Sequence, residues 1–275
     1  MGNWLSYEER VYGWKKDKED KRDLYKKFGG IYPALPGREK FSTIDLREQC
    51  PEIYDQGQLG SCTANAISAA YEFDMMKEKE EFIFTPSRLF IYYNERKMEG
   101  NVDEDAGAEI RDGIKSVNKQ GIVDEQKWPY IISNFTDEPP KKLYEEAKHH
   151  LAVKYQRIQQ NLEHMKECLN EGFPFVFGFI VYESFESEET TNTGIMVMPK
   201  ENERILGGHS CLVVGYDDDK KVFIVRNSWS SYWGDYGYFY MPYEYMLNEE
   251  YCSDCWLIQG GQDDNKYKKL MNKLL

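Results

Sequence analysis

Apolar positions along this chain change their spacing partway through. After Cys62, Ala66, Ala69, Ala70 and Phe73 recur at helical intervals, and Ile67 and Tyr71 do the same, so a helix starting near Cys62 is expected. Its small residues place it in the middle of a domain. Helical spacing returns from Pro86 to Lys97 and from Ala106 to Lys119, stopped by Gln120 and Gly121. Another helix is expected from Leu162 to Asn170, ending at Gly172. From Phe173 the period becomes that of strands: Phe173 to Val181, His209 to Tyr216, Val222 to Asn227 and Tyr238 to Met241. Helices in the first half and strands in the second imply an α+β fold with two lobes.

The same pattern divides the chain. Residues 1–40 are strongly charged around Lys15 to Lys27 and end in turn-rich Gly29, Gly30, Pro33, Pro36 and Gly37, which suggests an arm lying on a body. A helical lobe is expected over 41–150, a strand lobe over 151–262, and a charged tail over 263–275.

Composition narrows the function classes. Hydrophobic residues at 41% and charged residues at 30% fit a folded globular protein. A net charge of -13 would repel phosphates, which argues against a nucleic-acid partner. The longest apolar run, Phe173 to Val181, is too short to span a membrane. Met1 to Trp14 lacks the apolar core of a secretory signal, so a cytoplasmic, reducing location is expected, with the six cysteines as thiols.

The candidate chemistry centres on Cys62. A cysteine in the first turn of a helix faces unpaired N–H groups and the positive end of the helix dipole, which favours the thiolate. Gly57 and Gly60 let the preceding backbone approach a substrate closely. Gln56 offers a side-chain amide beside the Cys62 backbone N–H, and two such donors aimed at one point would hold an oxyanion. Of four histidines, His149, His150 and His164 lie in charged, helical stretches. His209 instead follows Gly207 and Gly208 and opens a buried strand, where an imidazole can face a cleft. Asn227 can accept from that imidazole and fix its tautomer. Trp229 and Trp233 could shield the bond from water.

Gln56 and Cys62, then Gly208-His209, then Asn227, Ser228 and Trp229 with Trp233-Gly234, resemble the papain family of cysteine peptidases in order and spacing. The cysteine-to-histidine gap falls within the roughly 130–150 residues of that family. The resemblance runs from Ile44 to about Ile258 and is nearest to a bacterial, xylellain-like branch. It implies a two-lobed fold, with a helical lobe, a β-barrel lobe and the cleft between them. It further implies Cys62 as nucleophile, His209 as general base and acid, Asn227 as its orienter, and Gln56 with the Cys62 amide as oxyanion hole. Cys62 and His209 would form a thiolate–imidazolium pair. Gly107 matches the strip that pairs with substrate backbone, and Trp229 is a second substrate-side candidate. Peptides are the expected partners, with no cofactor or metal. The arm would be propeptide-like and could cover part of the cleft, anchored by Tyr7, Tyr12 and Trp14.

Departures from the family pattern are informative. Thr63 replaces the usual tryptophan, Ser230 replaces a frequent glycine, and Leu59 and Asp105 stand where, or near where, secreted relatives carry cysteines. Cys252 and Cys255 have the spacing of half a zinc site, but no second pair accompanies them, so they are expected to be plain thiols. The rival functions are a catalytically silent binding module and an acyl transferase using the same nucleophile.

Overall fold

The computed structural model describes residues 10–27, 41–80, 82–151 and 154–259. Tyr7, the turn-rich end of the arm and the 263–275 tail lie outside the described residues.

The helix α1, Cys62–Lys77, is buried on almost every face. Ala64, Ala66, Ala69 and Ala70 let neighbours approach its backbone from all sides, which explains why it shows no polar stripe. Against it pack α2, Arg88–Glu99, and α3, Ile110–Gln120. The α2 helix starts two residues later than its sequence pattern suggests. Ser87 acts as N-cap, its hydroxyl accepting from the Phe90 N–H at 3.1 Å, and Gly100 closes the helix with φ of 80°. The α3 helix also starts late, because Ala108–Glu109 form a short strand, β3, parallel to β1 at Trp14–Lys15 in the arm.

The second half is an antiparallel sheet. Its strands are β4 (Lys154–Arg157), β5 (Phe175–Tyr182), β6 (Ile205–Asp217), β7 (Val222–Arg226), β8 (Tyr238–Pro242) and β9 (Cys252–Gln259), in the order β4-β9-β5-β6-β7-β8. A strand from the first half, β2 at Thr43–Asp45, crosses over to pair with β6. The fold is therefore α+β, with α1 packed across β6. Helix α5, Leu162–Asn170, has the expected bounds.

One local expectation is corrected, and one strand lies where none was expected. His149 and His150 fall in a turn after α4, Lys141–Ala147, and His150 packs edge-on against Phe84. Cys252 and Cys255 belong to β9, a buried strand whose polar Ser253 and Asp254 break the apolar alternation. Among the described residues, no helix is long and apolar enough to cross a membrane.

Candidate active site

Cys62 is the first residue of α1 and is fully buried. The backbone of Ser210 on β6 and of Gly13 in the arm lies near enough to its sulfur to favour the charged form. Helix mouth and sheet therefore meet at the sulfur, and Ser210 is the residue after His209. His209 is also fully buried, with its ring stacked on Trp229 at 4.7 Å between centroids. Its Nε2 lies 2.8 Å from Asn227 Oδ1. That oxygen also accepts from the Ser228 N–H at 2.8 Å, which fixes the amide's orientation. An oxygen can only accept, so Nε2 carries the proton and Nδ1 is left as the basic nitrogen. Among the described residues, Nδ1 has no hydrogen-bond partner.

Gln56 is held from three directions. Its backbone N–H donates to the Ser228 carbonyl at 2.9 Å, its Oε1 accepts from the Ser228 hydroxyl at 2.7 Å, and its Nε2 donates to the Leu59 carbonyl at 3.0 Å. The Ser230 N–H donates to the Tyr54 carbonyl at 3.0 Å, and Asp55 bridges to Trp229. Segments 54–56 and 228–230 thus form a short antiparallel ladder. Ser230 has φ of 67°, the left-handed region where glycine is at ease, which accounts for the glycine common at this position.

Sequence reasoning missed three contributors. Ser228 fixes the Gln56 side chain, so that its amide nitrogen faces the Leu59 carbonyl and, more distantly, the Val11 carbonyl of the arm. A serine after the asparagine is visible in the sequence, but its partner is not. Asp105 accepts from the Gly60 N–H with both oxygens at 3.0 Å and from the Tyr92 hydroxyl, tying the glycine loop to the strip at Gly107. A hydrogen-bonded tie joins the region where secreted relatives carry cysteines. Thr63 donates to Glu95 Oε1 at 2.6 Å. Burial pushes that carboxyl well above the carboxylate range, and its negative charge, when present, would disfavour a Cys62 thiolate.

The arm runs through this site. The Val11 carbonyl lies a long 3.5 Å from Gln56 Nε2. The Gly13 carbonyl accepts from the Ala108 N–H at 2.7 Å. A Cβ on Gly107 would meet that same carbonyl oxygen at 2.0 Å, so glycine permits the approach, and φ of 65° there favours it too. Trp14 is buried against Gly178 and Gly208, where a Cβ would meet the indole at 1.9 and 2.8 Å. Tyr12 makes edge contacts with His209 and Trp229. Further along, Asp17 is buried and accepts from Arg157 Nη2 at 2.8 Å, Trp256 Nε1 at 2.9 Å and the Arg111 N–H at 3.0 Å.

Enclosure changes the expected charge state. Burial pushes the Cys62 thiol up to about 12, against the opposing pull of the Gly13 and Ser210 backbone. Burial likewise pushes the His209 imidazole down to about 4, while Asn227 pulls it upward. With the arm seated, burial works against the charged form of both members of the expected thiolate–imidazolium pair. Desolvation outweighs the helix dipole here.

Comparisons with known proteins agree with this architecture. Residues 41–256 match the model of the papain family cysteine protease. An uncharacterized peptidase C1-like protein of Acanthamoeba polyphaga mimivirus is 46% identical over 274 residues, covering 92% of this chain and 88% of that one. The crystal structure of xylellain, a cysteine protease from Xylella fastidiosa, is 40% identical with a TM-score of 0.83, covering 91% and 96% of the two chains. The procathepsin B S9 structure from Trypanosoma congolense, 18% identical over 86% of this chain and 83% of its own, shares the fold with a TM-score of 0.69. A family match over most of the chain, together with a cysteine-protease structure of this similarity, makes the chain a member of the papain family of cysteine proteases.

Proposed function

We propose that this cysteine peptidase cleaves peptide bonds through a thioester on Cys62, and that residues 10–15 of the arm cover the cleft in cis. The observation that carries the first part is the His209 Nε2 to Asn227 Oδ1 bond at 2.8 Å, which leaves Nδ1 as the base beside the strand that contacts the sulfur. The Cys62 thiol passes its proton to His209 as its sulfur attacks the carbonyl, and Gln56 Nε2 with the Cys62 backbone N–H holds the oxyanion. Protonated His209 gives its proton to the leaving amine, and the C–N bond breaks. Neutral His209 then takes a proton from water, whose oxygen attacks the thioester and releases the acid. Gly107 and Ala108 offer backbone to substrate, and Trp229 offers a flat apolar wall.

Support for the arm as a cover comes from its contacts. Its main chain lies over the sulfur at Gly13, on the 107–108 strip, and near the Gln56 amide at Val11, the groups a substrate would use. A reducing compartment such as the cytoplasm is consistent with six unpaired cysteines. Recovery of tagged chain in an oxidising compartment would count against it.

Cys62→Ala in the full-length chain should abolish peptide hydrolysis and labelling by a thiol-directed epoxide, while thermal unfolding stays cooperative. His209→Ala should lose nearly as much turnover, because the pair acts as a unit. Undiminished turnover in either variant would refute the assignment.

A further inference from the structure

The arm crosses the site in two directions from Gly13, which lies over Cys62. Trp14 and Lys15 pair with the 108–109 strip on one side. Arg10 and Tyr12 lie on the other, against His209, Trp229 and Glu186. On the mechanism proposed above, His209 protonates the leaving amine, so its side of the cleft takes the residues that follow the scissile bond.

Glu186 is unusual on that side. Its side chain is only 5% exposed, beside Phe185, whose ring packs on Trp229 and Trp233. Among the described residues, both of its partners come from the arm: Arg10 Nε at 3.1 Å and the Tyr12 hydroxyl. The Arg10 guanidinium carbon also lies over the Trp229 ring, 3.9 Å from its centroid. A carboxylate and an indole face therefore clamp one guanidinium, the geometry for which arginine's planar fork is suited. When the arm leaves, the carboxylate loses both of these partners.

We propose that Glu186 and Trp229 form a cation-binding subsite on the leaving-group side, selecting peptides with arginine or lysine in the first two positions after the cleaved bond. Arg10 is the internal occupant of that subsite. The inference rests on the catalytic assignment of His209, and the test separates the two.

Full-length protein is given pairs of peptides in competition, identical except for arginine or its neutral isostere citrulline at each of those two positions. The ratio of kcat/KM within a pair is insensitive to how often the arm is seated, because that fraction scales both peptides equally. Arginine should be favoured by roughly tenfold or more at one position, as expected for a charged hydrogen bond. Glu186→Gln should bring the ratio near unity, and Glu186→Lys should favour glutamate over glutamine at the same position. No preference in the parent, or a preference that survives Glu186→Gln while both turnovers rise, would overturn the subsite and leave Glu186 as an anchor for the arm. Absence of turnover on every peptide, both in the parent and in Gly13→Ala, where a Cβ would clash with the Gly60 backbone and lift the arm, would overturn the catalytic assignment, and the subsite with it.

Discussion

Gly13→Ala is the sharpest single perturbation of the covered site. A Cβ at Gly13 would meet the Gly60 carbonyl oxygen at 1.7 Å and its carbon at 2.4 Å. Both atoms are backbone, so no side-chain rotation relieves the clash. The arm must lift there, losing the Gly13–Ala108 hydrogen bond and admitting water to Cys62. Uncovered, the thiol should fall from about 12 towards the free value of about 8.5 or lower. At pH 7 the thiolate fraction would rise by roughly 3.5 orders of magnitude. A less basic thiolate is intrinsically less nucleophilic, with a Brønsted slope of about 0.4–0.5, which returns roughly 1.5 of those orders. The net expectation is an increase of about a hundredfold in the iodoacetamide rate at Cys62, read by peptide mapping from pH 5 to 10. Buried Cys168 and Cys255 should stay slow in the same samples, reporting that the body remains folded. Peptide turnover should rise together with the labelling. If Gly13→Ala labels no faster than the parent while those two thiols stay protected, the arm is not what holds the thiol neutral.

Two further predictions follow from contacts around the site. Ser228→Ala removes the hydroxyl that fixes Gln56, and should lower kcat by about tenfold with little change in KM, less than the 10²–10³ expected for Gln56→Ala. An equal loss in both variants would mean that Ser228 acts other than through Gln56. Burial and then Asp254 raise Asp17 to about 6, against the pull of Arg111, Trp256 and Arg157. A carboxyl raised by folding adds stability that is complete below its unfolded value near 4 and is lost as pH rises through about 6. Amide protection of the arm should therefore increase from pH 7 to pH 5, and Asp17→Asn should flatten that part of the profile. Protection that falls on acidification in the parent but not in Asp17→Asn would reverse the sign assigned to Asp17.

The family and its α+β layout were legible because their signals are local. Gln56 to Cys62, Gly208-His209 and Asn227 to Trp229 each sit in one short stretch, and α1 and α5 keep helical spacing from end to end. What was not legible depends on partners distant in sequence. Ser228 meets Gln56 across 172 residues, and Asp17 meets Trp256 across 239. Nothing near Asp17 marks it as a core residue. It lies in a lysine-rich stretch that looks solvated, and only Arg157, Arg111 and Trp256 make its burial tolerable. The β9 strand is hidden in the sequence because polar Ser253 and Asp254 interrupt its apolar pattern, and the partners of Asp254, the Asp17 N–H and Arg157, are remote along the chain. The burial that opposes charge on Cys62 and His209 was equally out of reach, since helix position argues for a thiolate and the enclosing arm is remote in sequence.

The ladder between 54–56 and 228–230 constrains how the protein can vary and move. It couples an amide donor from one half of the chain to the imidazole's orienter from the other through main-chain atoms, which every side-chain substitution except proline preserves. The pairing itself therefore tolerates a change of residue, the constraint on Gln56, Ser228 and Trp229 coming from their side chains instead, whereas adding or deleting one residue would shift both groups out of step. The same ladder acts as a closed hinge pin at one end of the cleft. Admission of a polypeptide then calls for lifting a strand of the arm, with the walls of the cleft staying where they are.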